Sequence, residues 1–123
     1  QILATGVKVV VDHFGSPEPA NGVNCPGFRY ILKGFATGRL WVKLSARYRV
    51  GEGLAAECAK LLLQEGTAKR LVWGSDWPWT QNEPGQSYAE CLHWLEQWAP
   101  EHSDRETILG ATARQIFHFP EPL

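Results

Sequence analysis

Three short apolar runs set what this chain can fold into. Each is rich in β-branched or aromatic residues, and each closes on polar side chains. They are Val7–Val11, which ends in Asp12 and His13; Leu40–Ser45; and a run that opens at Leu71 and ends near Asp76. Pro78 has no N–H to give a ladder, so the third run cannot continue past it. Segments of helical period lie between the runs. Phe28–Phe35 is short and amphipathic, closed by Gly34 or Gly38, and Leu54–Gln64 ends at Gly66. Tyr88–Trp98 carries Tyr88, Cys91, Leu92, Leu95 and Trp98 at helical spacing, and Pro100 stops it. A last helix starts at Ser103 or Asp104, with Glu106 completing a capping box if Ser103 is the cap, and runs to about Phe117. Ile2 and Leu3 read as the tail of an earlier helix stopped by Gly6, and Phe14–Pro26, Ala46–Gly53 and Thr80–Gln86 read as loops. The order β-α-β-α-β-α-α predicts an α/β fold of parallel strands joined by right-handed crossovers.

The chain has 123 residues, which bounds it at one domain, and 44% apolar residues are enough for a core. Its net charge of −1, with no basic block, argues against nucleic acid or an anionic membrane as partner. No apolar run has the length of a membrane span, and the N-terminus is not a signal peptide. Cys25, Cys58 and Cys91 form no CxxC pair, so they suggest neither a zinc site nor a disulfide framework. That favours a reducing, cytoplasmic location. The chain has no methionine and opens Gln1-Ile2-Leu3, so the expectation is an incomplete domain over 1–123, part of a longer or processed protein.

Candidate chemistry sits at the polar ends of the runs. Alternation places Val72, Gly74 and Asp76 on one strand face, Val9, Val11 and His13 on one face, and Trp41, Lys43 and Ser45 on another. Asp76 stands where reacting groups collect in βα folds, although such an Asp also suits a turn or a helix N-cap. As a general base at an apolar rim, it would have its proton affinity raised by desolvation. His13 can hydrogen-bond a scissile carbonyl, sit beside a metal, or bond a loop carbonyl. Asp12 alternates away from it and is expected to cap or pair outside. Lys43, in a buried strand, needs a carboxylate partner. Arg49 offers a planar fork for a carboxylate, or is simply solvated. Tyr48 can bond substrate or pack. Trp77 or Trp79 is expected to wall a pocket. His93, His102 and His118 read as surface or packing residues.

The ordered set Asp12-His13-Phe14-Gly15, then Trp41–Arg49 (WVKLSARYR), then Leu71–Trp79 (LVWGSDWPW) resembles the C-terminal part of the amidohydrolase-2 family. These are TIM-barrel hydrolases and decarboxylases, and the likeness is to their 2-pyrone-4,6-dicarboxylate lactonase-like branch. The resemblance implies three βα units, equivalent to strands six to eight of a (β/α)8 barrel, with an extra C-terminal helix. It implies a hydrolase acting on a lactone or carboxylated small molecule. Asp76 matches the aspartate that takes a proton from the attacking water, and His13 the strand-six histidine. Arg49, or else Arg47, falls where a substrate carboxylate is held, with Tyr48, Ser45 and Trp77 as further substrate contacts. The lactonase pattern has an arginine three residues after the histidine, where this chain has Ser16, and its strand-one HxH pair has no counterpart here. The cofactor expectation is therefore none, or one divalent zinc-type metal held in part by Asp76 and His13. Two other readings follow from the same likeness. One is a catalytically silent barrel fragment that self-associates or needs its missing N-terminal half, because three units leave open edges and an uncovered apolar inner face. The other is a metal-dependent decarboxylase.

Overall fold

The computed structural model describes residues 1–121. Its sheet holds β1 (Val9–Val11), β2 (Leu40–Leu44) and β3 (Leu71–Trp73), in the order β1-β2-β3 and parallel throughout. Val9 pairs with Leu40 and Val11 with Val42; Val42 in turn pairs with Leu71 and Leu44 with Trp73. Each strand is laid beside its predecessor on the same side, so the sheet winds in one direction. All crossover helices then fall on one face.

Those helices are α1 (Pro26–Gly34), α2 (Arg47–Val50), α3 (Glu52–Gly66), α4 (Tyr88–Trp98), α5 (His102–Glu106) and α6 (Thr112–Phe117). The core lies between them and one strand face. Leu40, Val42, Leu44 and Leu71 pack there with Phe14, Phe28, Cys58, Leu62, Leu95, Trp98 and Ile108. α3 lies centrally, against both α1 and α4. The strand order and the three long helices follow the sequence reading. No helix among the described residues is long and apolar enough to cross a membrane.

Four local differences have physical causes. First, α2 lies inside the stretch read as a loop; Ala46, at φ 53°, turns the chain into it, and Gly51, at φ 98°, turns it out. Second, the last helix begins at His102 without a side-chain cap, so Ser103 and Glu106 form no capping box there. A π-helical turn, Thr107–Ala111, joins α5 to α6. A capping bond does exist at α4, where Ser87 Oγ accepts the backbone N–H of Glu90. Third, Gly66 ends α3 by fit rather than by backbone freedom. A Cβ there would lie 2.8 Å from the Phe35 ring, and the chain turns at Thr67. Fourth, the strand face opposite the helices is not a bare apolar surface. Trp41 and Val72 on it are buried, the Arg70 guanidinium lies 4.9 Å from the Trp41 ring, and Trp41 Nε1 donates to the Lys69 carbonyl.

Candidate active site

The strand ends share a backbone signature. His13, Phe14 and Ser16 after β1, Ala46 after β2, and Asp76, Trp79 and Gln81 after β3 all have left-handed φ values. Each such non-glycine residue costs on the order of 1–3 kcal/mol, and such residues gather at functional sites. The strain redirects side chains. In a continued strand Asp12 and His13 would point to opposite faces. Here β1 stops at Val11, His13 takes φ 50°, and both side chains turn toward β2. Lys43 Nζ meets Asp12 Oδ1 at 2.9 Å, and Ser45 Oγ lies 2.8 Å from His13 Nδ1. Lys43 thus has the carboxylate it needs. Asp12 does not pair outside, as alternation suggested; it pairs on the strand face away from the helices.

These placements converge on Asp76. Its Oδ2 accepts hydrogen bonds from the Tyr48 hydroxyl and from Arg49 Nε at 3.3 Å. Its Oδ1 lies 3.8 Å from His13 Nε2. The side chain keeps 19% of its exposure, so it is shielded yet reachable. His13 after β1 and Tyr48 and Arg49 after β2 therefore meet the carboxylate of Asp76 after β3, with Ser45 bonded behind the His13 ring.

The electrostatics differ from the sequence expectation. Burial alone would raise the Asp76 carboxyl, but hydrogen bonds from Tyr48 and Arg49, with the nearby His13 and Arg49 charges, outweigh it and hold the group below its ordinary value. Asp76 is thus a stabilised carboxylate, not one tuned upward. Burial, together with the bond to Asp76 and its negative charge, pushes the Tyr48 hydroxyl up to about 12. Tyr48 is then a permanent donor. The Arg49 guanidinium is raised, chiefly by its bond to Asp76.

Other expected contacts fall elsewhere. Arg47 turns from Asp76 and lies 3.9 Å over the Trp94 ring, paired with Glu52 and, at 4.0 Å, with Glu90. It ties α2 to α4. Ser45 is 1% exposed, and its Oγ lies beside His13 Nδ1. Trp77 stands out at the rim, 72% exposed, while Trp79 Nε1 is tied to the Ser75 carbonyl at 2.8 Å. His93 and His102 are exposed beside Glu96 and Glu106, and His118 caps the end of α6. The cavity between Tyr48, Arg47, Ser75 and Trp94 measures about 10 Å³, room for one water at most. The Tyr48–Asp76 bond was not legible beforehand, although Gly51 after Arg47–Val50 was a signal for the short helix that carries Tyr48.

A mononuclear zinc site wants three protein ligands and a water. Among the described residues no group of three or more His, Cys, Asp or Glu side chains is placed to hold a metal. His13 Nε2 and Asp76 Oδ1 offer two donors, which do not close such a site.

A model of the amidohydrolase family matches residues 3–119. The 4-sulfomuconolactone hydrolase of Rhizobium radiobacter is 31% identical over 94% of this chain, which spans 41% of that relative's length. A solved structure of a candidate 2-pyrone-4,6-dicarboxylic acid hydrolase from Pseudomonas putida superposes with TM-score 0.88 and 33% identity. It covers 98% of this chain and 46% of its own. A second structure of that kind, from Acinetobacter baumannii with citric acid bound, gives TM-score 0.83 and 29% identity, covering 91% and 44% of the two chains. The chain thus spans less than half the length of these relatives, and its three parallel strands with their helices are α/β units of the kind that build a TIM barrel. With a family match over nearly its whole length, this chain belongs to the amidohydrolase family.

Proposed function

We propose that this chain carries the general-base side of a lactone hydrolase, working in a complete barrel whose other strands lie outside residues 1–123. The observation that supports this reading best is the convergence of His13, Tyr48 and Arg49 on Asp76 at the C-terminal ends of parallel strands, where barrel active sites form. The names of the relatives point to lactones as substrate.

The chemistry follows from which oxygens are engaged. Tyr48 and Arg49 occupy Oδ2, so Oδ1 is the atom that faces a water. Oδ1 takes a proton from that water while the water oxygen attacks the lactone carbonyl. The carbonyl oxygen becomes an oxyanion, and His13 Nε2–H donates to it. The ring C–O bond then breaks, and its oxygen receives the proton from Asp76. Water has been added across the ester, giving a hydroxy acid or its tautomer. A carboxyl held below its usual value is a weak base but a ready acid, which suits the second half of this sequence. Arg49 spends Nε on Asp76 and Nη2 on the Thr80 carbonyl, leaving Nη1 for a substrate carboxylate.

The test is Asp76→Asn in the full-length protein, assayed on lactones bearing a carboxylate. We expect kcat/KM to fall by about 10³, within the range general-base catalysis supplies. Activity equal to wild type would overturn the reading.

A further inference from the structure

We infer that Ser45 is a positioning residue that holds His13 in the tautomer with the proton on Nε2, so that an N–H donor faces the gap beside Asp76 Oδ1. This deepens the hydrolase reading and rests on it for its catalytic consequence, though not for the tautomer itself.

The argument is one of satisfaction. Ser45 Oγ is buried, at 1% residue exposure, and its one hydrogen-bond partner among the described residues is His13 Nδ1, at 2.8 Å. A hydroxyl carries one proton and two lone pairs. If Nδ1 held the ring proton, it would donate to Oγ, and the buried hydroxyl proton would have no protein acceptor among the described residues. Buried donors are rarely left so. If the hydroxyl donates to Nδ1, every proton is placed, and Nε2 must carry the ring proton. Nε2 lies 3.8 Å from Asp76 Oδ1, too far for a hydrogen bond between them. The donor is thus left for a third atom, which the lactone carbonyl oxygen would supply.

The site is built to keep this arrangement. Lys43 on β2 and Ser45 just past its end stand two residues apart and hold Asp12 and His13 in turn. Lys43 anchors the residue before the bend, and Ser45 orients the ring after it. Neither touches the reacting atoms in the mechanism above.

Nitrogen NMR of the 15N-histidine-labelled protein, without substrate, tests the assignment. We expect a pyrrole-like Nε2 and a pyridine-like Nδ1 for His13. In Ser45→Ala both nitrogens should move toward averaged values as the tautomers interconvert. kcat should fall about tenfold with KM little changed, as for other orienting partners of functional histidines. Ser45→Thr keeps the hydroxyl and should restore both readouts. A pyrrole-like Nδ1 in the wild type, or ring shifts unmoved in Ser45→Ala, would overturn the proposal. Should Ser45→Ala not fold, the wild-type shifts decide it. Absence of lactone hydrolysis in the wild type would defeat the hydrolase reading alone, since the shifts are read without turnover.

Discussion

At the scale of single residues, the balance of forces on one carboxylate governs the site. Asp76 has its proton affinity lowered in the fold, so its contribution to stability is present above the ordinary aspartate value and is lost as pH falls through the lowered one. The same carboxylate should stay ionised through neutral pH. Tyr48→Phe removes one of its two Oδ2 donors, so the acid limb of the kcat/KM profile should move to higher pH. An unmoved limb would show that Tyr48 does not hold the charge. Tyr48 titrates in the other sense. Its neutral form is favoured, so its contribution is full below about 10, its ordinary value, and fades as pH rises toward about 12. Tyr48→Phe has no such proton to lose, so its stability should fall less steeply than that of the wild type between about pH 10 and about pH 12, read by circular dichroism. Arg49→Lys loses the planar fork, and KM for a carboxylate-bearing lactone should rise about tenfold, the effect of about 1.4 kcal/mol.

At the scale of elements, close fits between helices and strands position these residues. β2 is the central strand, with its Val42 and Leu44 fully buried between helices on one face. α3 ends on Gly66, pressed against Phe35, and α2 hangs between β2 and α3. Gly66→Ala should cost about 1–3 kcal/mol in urea unfolding, because the added methyl must push the ring aside. Stability equal to wild type would mean that Phe35 moves freely. Leu44→Ala, beside Ser45, should cost about 2–5 kcal/mol through the cavity it leaves.

At the scale of the whole molecule, β1 and β3 each pair on one side only within this sheet. Val7, Leu109, Phe117 and Phe119 are exposed. Open strand edges and uncovered apolar side chains favour association. The chain expressed alone, at 13.8 kDa, should therefore show at least twice that mass by light scattering, or bind the N-terminal half of a barrel. A sharp monomer would contradict this.

Much of this protein was legible in its sequence because it depends on local rules. β-branched runs make strands, helical periods make helices, and their alternation makes the parallel α/β order. The third strand stops at Trp73, well before Pro78, so Asp76 sits three residues beyond it in a left-handed turn and not on the strand face that alternation assigned to it. What only the tertiary structure decided depends on residues far apart in the chain. Tyr48 and Asp76 are 28 positions apart, and His13 and Ser45 are 32. Side-chain alternation foretells direction only while a strand lasts, and it failed at His13, where the backbone turns left-handed. Desolvation foretells a raised carboxyl only when no donors arrive, and at Asp76 two arrive from the end of another strand. Arg47 and Arg49 look alike in sequence, yet they leave the short helix α2 in different directions, one to Trp94 and the other to Asp76.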